Sequence, residues 1–367
     1  MNYRDLAFRA DTVEGICTDR RPSRRYLQVS DGGPIEVGAA GVKRTFISAG
    51  RRTLVMIRET AVIGAGDMGH GFAAHFALYD RDVTLIDHRQ SNLDEAEERI
   101  GEVVRFQAEE GLTSASPDEV LDRVSFTLDR AEGVNDVDFV LETVPEDLDT
   151  KREVFASLAD ATAGETILAS NTSGLPITDI AGRNEAAERI VGCHWWYPPY
   201  LLKPVEVVRG ERTSDETIER TTAFLEAIDR KPILVERDVP GFVWNRVQNA
   251  VIRECMHLAS EGVASIEDIN TAIRDGYARR TAVIGPFETI DVGGLDLYRT
   301  VAGDLFPHLS VAGEPSELFD DYLDAGRGGI AEGAGFFEYD VPASEVTRRR
   351  DEGLAALERA VDEHREK

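Results

Sequence analysis

The first sustained apolar run of the chain is Thr60-Ala61-Val62-Ile63, bounded by a glycine turn and followed at once by helical periodicity. A four-residue run of this kind before a turn reads as a buried strand. From Thr60 the chain runs TAVIGAGDMGHGFAAHFALYDRDVTLIDHRQ, which predicts strand, turn, amphipathic helix and a second strand ending at Asp87. That is one βαβ unit. Further strands are expected at residues 123–128, 137–142, 166–170, 189–193 and 204–208, with helices at about 94–110 and 149–161. Alternation of this type predicts an α/β fold, a Rossmann-type doubly wound sheet. From Phe242 onward Val243, Val247, Ala250, Val251 and Leu258 recur at helical spacing and no alternating strand follows, so an all-helical C-terminal domain is expected. The polar end segment carries Leu354, Leu357 and Val361 on one predicted face, a short amphipathic helix. The resulting division is a leader at 1–55, a dinucleotide-binding domain at 56–240, a helical domain at 241–340 and a helical tail at 341–367.

Composition changes the picture in two places. The 367 residues carry 68 acidic and 41 basic side chains, net −27, which excludes a nucleic-acid backbone as partner. Residues 1–55 hold ten basic and six acidic side chains, so the remaining residues hold 62 acidic against 31 basic and carry −31. The Arg-, Gly- and Ser-rich leader lacks apolar periodicity, and Met56 directly precedes the first strand. We expect the leader to be disordered or untranslated; a transit peptide fits its six acids poorly. Acids scattered over helix faces, with five Lys against 36 Arg, suggest a salt-adapted surface. No run approaches the length of a membrane span and no secretory apolar segment opens the chain, so a cytoplasmic location is expected. Cys17, Cys193 and Cys255 lie far apart without CxxC spacing, which suggests neither a disulfide framework nor a metal site.

Candidate chemistry begins at Gly64, Gly66 and Gly69, which fall at GxGxxG spacing between strand and helix. Such a loop lets the backbone approach a pyrophosphate while the helix N-terminus faces its charge. Asp87, at the end of the next strand, is placed to accept from a ribose 2′-hydroxyl, which favours NAD; His88 and Arg89 beside it leave NADP open. Farther along, His194 ends an apolar strand and precedes the loop Trp195-Trp196-Tyr197-Pro198-Pro199-Tyr200. Glu206 follows in the next strand, at a spacing that lets neighbouring strands pair the two side chains. An imidazole braced by a carboxylate can take the proton of an alcohol as hydride leaves; a satisfied core histidine is the plainer reading. Ser173, after a strand, and Asn245, opening a helix, are candidate donors to a substrate oxygen, or ordinary turn and cap residues.

The segments GAGDMG, ASNTSG, the His194/Glu206 spacing, DVPGFVWNR, IGPFETIDVGGLD and GAGFFEY, in that order over about residues 57–339, resemble the 3-hydroxyacyl-CoA dehydrogenase family. The resemblance implies NAD as cofactor and a helical domain that forms a homodimer. It also implies His194 as base, Glu206 as its partner, and Ser173 and Asn245 on the substrate. The Gly64, Gly66, Met68, Gly69 loop and Asp87 would contact the cofactor, with Glu146 and Lys151 around its nicotinamide ribose. Three departures stand out. Tyr197 occupies the place of an asparagine, Ala331-Glu332 replaces a lysine, and the helix after Asp87 carries Asp94, Glu95, Glu97 and Glu98 where acyl-CoA enzymes bind phosphates. Features near 198–202 and 284–289 are similar to carnitine and L-gulonate 3-dehydrogenases. The expected substrate is accordingly a 3-hydroxyacyl-CoA, with a small free 3-hydroxy acid as the alternative and a catalytically silent NAD-binding protein as a third reading.

Overall fold

The structure, a computed structural model, describes residues 56–365 and, before them, two short strands, β1 (Leu27–Val29) and β2 (Gly32–Ile35), paired antiparallel. The remainder of the expected leader lies outside the described residues.

Eight strands form the central sheet: β3 (Glu59–Ile63), β4 (Asp82–Ile86), β5 (Val124–Thr127), β6 (Phe139–Glu142), β7 (Ile167–Ser170), β8 (Ile190–Trp195), β9 (Pro204–Val208) and β10 (Lys231–Val235). Their order is β10-β9-β8-β7-β6-β3-β4-β5, and the six strands from β3 to β8 are mutually parallel. The strand order reverses between β3 and β6, the crevice where such sheets bind ligands. β9 turns back antiparallel to β8, and β10 runs beside β9. β10 was not anticipated, because an edge strand with a mixed exposure pattern gives neither a continuous apolar run nor an alternation.

Strands β6, β7 and β8 are buried at every position, as expected of a parallel sheet covered on both faces. Alternate residues feed two cores. On one face Val62, Phe139, Leu141 and Val191 meet α1 (Gly69–Leu78), α2 (Gln90–Glu109), α3 (Pro117–Leu121) and α7 (Asp215–Ala227). On the other, Ala61, Val140, Leu168 and Ile190 meet α4 (Arg130–Gly133), α5 (Leu148–Ala161) and α6 (Ile177–Ala181). The expected amphipathic α1 is instead buried from Gly69 to Ala77, since the sheet, α2 and the loop after β8 enclose it on all sides. Trp195, at the end of β8, packs in an aromatic cluster with Phe72 and Phe76, which ties the end of that strand to the first core.

After β10 the chain is helical: α8 (Trp244–Ser260), α9 (Ile266–Thr271), a π-helical turn Ala272–Tyr277, α10 (Ala278–Val283), α11 (Pro286–Gly293), α12 (Leu295–Leu305), α13 (Leu318–Asp324) and α14 (Ala343–Arg365). From Val243 to Arg350 no residue is buried. The tail helix α14 returns to the sheet domain, and its expected face is only partly covered, with Leu354 and Val361 part-buried. Ala355 and Asp351 are buried, whereas Leu357 is half exposed, because the helix is seated mainly by charged and polar partners on its inner side. Among the described residues no helix is long and apolar enough to cross a membrane.

Candidate functional site

The glycine turn after β3 behaves as its spacing requires. Gly64 has φ of +103°, and a Cβ there would stand 2.7 Å from the Thr143 carbonyl oxygen. A Cβ on Gly69 would fall 1.8 Å from the Gly64 oxygen, so both positions need glycine for backbone reasons. Gly66 differs: nothing lies within 4 Å of its notional Cβ. The close approach there is left for a ligand. Met68 stands at the N-cap of α1 without a side-chain bond to the helix; in the first turn the His70 N–H is taken by the Gly66 carbonyl at 3.4 Å, and the positive end of the helix dipole faces the glycine turn.

Asp87, at the end of β4, is buried. Its Oδ2 accepts from the Ala65 N–H at 2.9 Å, and its Oδ1 from the Arg89 N–H and the Asn92 amide at 3.0 Å each. Burial alone would raise its carboxyl, but these donors outweigh it and hold the group below the usual carboxylate range. Oδ2 keeps a lone pair for a ribose hydroxyl. The glycine loop, the uncapped helix end and this acceptor together fit an NAD molecule.

A second group occupies the carboxyl ends of β6 and β7. Lys151, buried on α5, places its Nζ 2.8 Å from Glu142 Oε1, 3.2 Å from the Val144 carbonyl and 3.4 Å from Glu146 Oε2. Glu142 Oε2 accepts from the Ser170 hydroxyl at 2.6 Å. Glu146 Oε1 accepts from the Thr172 hydroxyl at 2.6 Å and the Ser173 N–H at 2.9 Å, so it fixes the loop that bears Ser173. Burial works against the Glu146 charge, yet Thr172, Lys151 and Ser173 keep it below the ordinary range. Glu142, Ser170 and Thr172 were missed from sequence. Each is a polar side chain in or beside an apolar strand, and that position was the signal available.

His194 and Glu206 are direct partners in the antiparallel β8/β9 pair, and His194 Nδ1 lies 2.7 Å from Glu206 Oε2. Both are buried. The other carboxylate oxygen, Oε1, accepts from the backbone N–H groups of Val243 and Trp244 at 2.8 and 3.0 Å, at the start of α8. Burial opposes ionisation of Glu206, but His194 and these two N–H donors prevail and lower its carboxyl. An ionised carboxylate can only accept, so the shared proton sits on Nδ1, and Nε2 is the ring nitrogen left to exchange a proton with a ligand. From the next turn of the chain, Asn245 Nδ2 donates to the Ser173 carbonyl at 2.6 Å. The Trp196 and Trp244 rings stack at 4.1 Å, joining the loop after His194 to the same helix start. The sequence-derived residues therefore gather along one edge of the sheet: Gly64 and Asp87 after β3 and β4, Glu146, Lys151 and Ser173 after β6 and β7, and His194, Glu206 and Asn245 beside them.

A doubly wound sheet with a glycine-turn dinucleotide site and an acid-braced histidine defines an NAD-dependent dehydrogenase. The chain belongs to the 3-hydroxyacyl-CoA dehydrogenase family: residues 59–239 match the model of its NAD-binding domain and residues 241–339 that of its C-terminal domain. It is 34% identical, over 84% of this chain and 99% of the relative, to 5-formyl-3-hydroxy-2-methylpyridine 4-carboxylate 5-dehydrogenase of Mesorhizobium japonicum. It is 37% identical, over 65% of this chain and 70% of the relative, to L-carnitine dehydrogenase of Streptomyces griseus. Among solved structures it is similar to that of 5-formyl-3-hydroxy-2-methylpyridine 4-carboxylic acid 5-dehydrogenase, described as an NAD+ dependent dismutase. The TM-score is 0.78 at 34% identity, covering 84% of this chain and 99% of that one.

Proposed function

We propose that the protein catalyses the reversible, NAD-dependent oxidation of the secondary alcohol of a small free 3-hydroxy acid. The observation that carries this reading is the buried His194–Glu206 pair at 2.7 Å, beside the Ser173–Asn245 contact. Gly64, Gly66, Met68 and Gly69 with Asp87 would hold the dinucleotide, and Glu146 with Lys151 would shape the wall near its nicotinamide ribose. When bound, NAD supplies the hydride acceptor. His194 Nε2 takes the hydroxyl proton, and the Glu206 carboxylate stabilises the imidazolium that forms. Glu206, held by two N–H groups of α8, cannot turn away as that charge develops. Asn245, oriented by the Ser173 carbonyl, retains a second amide N–H for the substrate oxygen.

The exposed face of α2 supports a free acid. Asp94, Glu95, Glu97 and Glu98 all point to solvent, and Arg99 among them is engaged by Asp67 and Glu95 at 2.9 and 3.7 Å. Such a face repels the phosphates of a CoA thioester. The second reading, a 3-hydroxyacyl-CoA substrate, is favoured by the family model that covers the chain. The functional division would be 56–240 for the cofactor, 241–340 for assembly and cleft, and 341–367 for the tail. The uncovered helical region, with Phe287 81% and Val292 80% exposed, would be closed by a second copy of the chain.

The test is reduced-nicotinamide absorbance in molar KCl with gulonate, carnitine, 3-hydroxybutyrate and 3-hydroxybutyryl-CoA. The proposal expects kcat/KM for a free acid to exceed that for the thioester by about tenfold or more, a difference of about 1.4 kcal/mol. Preference for the thioester would install the second reading, and silence with all four would leave an NAD-binding protein.

A further inference from the structure

The loop that follows His194, from Tyr197 to Leu202, is gripped from several sides. The Pro199 carbonyl accepts from Arg230 Nη2 at 3.1 Å, and the Tyr200 carbonyl from Gln107 Nε2 at 2.9 Å. Gly71 of α1 lies so close beneath Pro199 that a Cβ would stand 2.7 Å from the proline ring. Arg230 is itself buried; its Nη2 also meets His75 Nδ1 at 2.7 Å, and its guanidinium lies 5.3 Å from the Trp195 ring. These contacts come from the sheet domain and hold the loop backbone. The Tyr197 side chain, 45% exposed, takes no part in these contacts and needs a restraint of its own.

That restraint comes from α14. The Tyr200 hydroxyl donates to Asp351 Oδ2 at 2.8 Å. Oδ1 of the same buried carboxylate accepts from Arg350 Nε at 2.8 Å and lies 2.7 Å from its Nη2. The Arg350 guanidinium then lies 4.7 Å from the centre of the Tyr197 ring. Lys203, just past the loop, closes the seat with a 2.7 Å ion pair to Asp362, about three turns farther along α14. A planar cation fixed by a buried acid and laid on a ring removes rotational freedom from that ring. Tyr197 is three residues past His194 and directly follows Trp196, whose ring stacks on Trp244 beside Asn245. α14 begins at Ala343, beyond the end of the family-domain match at residue 339.

We propose that α14 is a positioning element of the active site: Arg350, held by Asp351, fixes the Tyr197 ring in the wall of the cleft and thereby sets the affinity for the hydroxy acid. Arg350 acts through Tyr197 and is a positioning residue. The inference rests on the dehydrogenase reading of His194 given above.

The test is a double-mutant cycle of Arg350→Ala and Tyr197→Ala, with Arg350→Lys as the conservative variant, on whichever substrate the wild-type enzyme turns over. KM, kcat, NAD affinity and melting temperature are read for each protein. Arg350→Ala is expected to raise KM about tenfold, change kcat by less than about twofold and leave NAD affinity alone. Lysine, which keeps the charge and loses the planar face, recovers little of the loss. In the Tyr197→Ala background, Arg350→Ala adds nothing. Unchanged KM, or effects that multiply as if independent, overturn the proposal; so does a fall in melting temperature with kinetics intact. A readout that needs no turnover is the near-ultraviolet circular dichroism of the stacked Trp196–Trp244 pair. Arg350→Ala should weaken that signal, and an unchanged spectrum contradicts the proposal even if every substrate fails.

Discussion

The sheet domain and the helical region of this chain differ in how they are held. In the first, the central strands bury both faces and even an ion pair is enclosed, with Lys151 and Glu142 at 1% and 0% side-chain exposure. In the second, no residue between Val243 and Arg350 is buried, and its apolar side chains face outward along α10 to α13. The glycine turn, Asp87 and the His194–Glu206 pair all lie in the region that carries its own core. A helical region without its own core cannot be stable in the same way. Glu206 spans the two, with one oxygen toward His194 and the other toward the first N–H groups of α8.

The sharpest way to break this contrast is to remove one partner of an ion pair in each region. Lys151→Met strands Glu142 in the core and should cost about 3–5 kcal/mol in denaturant unfolding. The exposed Arg279–Asp275 pair, at 2.7 Å against 2.8 Å for Lys151–Glu142, should give no measurable change when Arg279 becomes Ala. Equal effects would erase the distinction. Next in size, Phe287→Asp places a charge on the uncovered helical face and should convert a dimer to a monomer in sedimentation while NAD affinity survives. A wild-type protein that sediments as a monomer at all concentrations refutes cover by a second copy.

A smaller effect sharpens the role of Glu206. Its folded carboxyl is held below the ordinary value of 4.5, so its ionised form stabilises the native state above that pH. The contribution is lost as pH falls through the depressed value. The stability gap between wild type and Glu206→Gln should shrink as pH drops below about 4. A gap independent of pH would separate Glu206 from this linkage. The smallest effect concerns the surface charge of −31 over residues 56–367. Molar KCl shortens the screening length to about 3 Å, and the melting temperature should rise with it. A flat or falling curve removes the salt-adapted reading.

Much of the site could be read from sequence because local patterns encode it. The glycine spacing after a strand located the dinucleotide turn, and two neighbouring strands with His194 and Glu206 at matching depth located the pair. What escaped were groups brought together over long stretches of chain. Glu142 and Ser170 join Lys151 in a cluster built from three elements, and of the three only Lys151 was named from sequence, through the family resemblance and not through any local pattern. The tail helix misled for a related reason. Its leucines suggested an apolar seat, whereas Asp351 and Asp362 dock it through Tyr200 and Lys203, more than a hundred residues away. Polar contacts of that range leave no periodicity to detect.

Comparing His194→Ala with wild type, by turnover and by NAD binding, tests the central claim most directly. The imidazole as proton acceptor predicts a loss of about 10² to 10⁴ in kcat with NAD affinity nearly unchanged. Turnover that survives the substitution would contradict it.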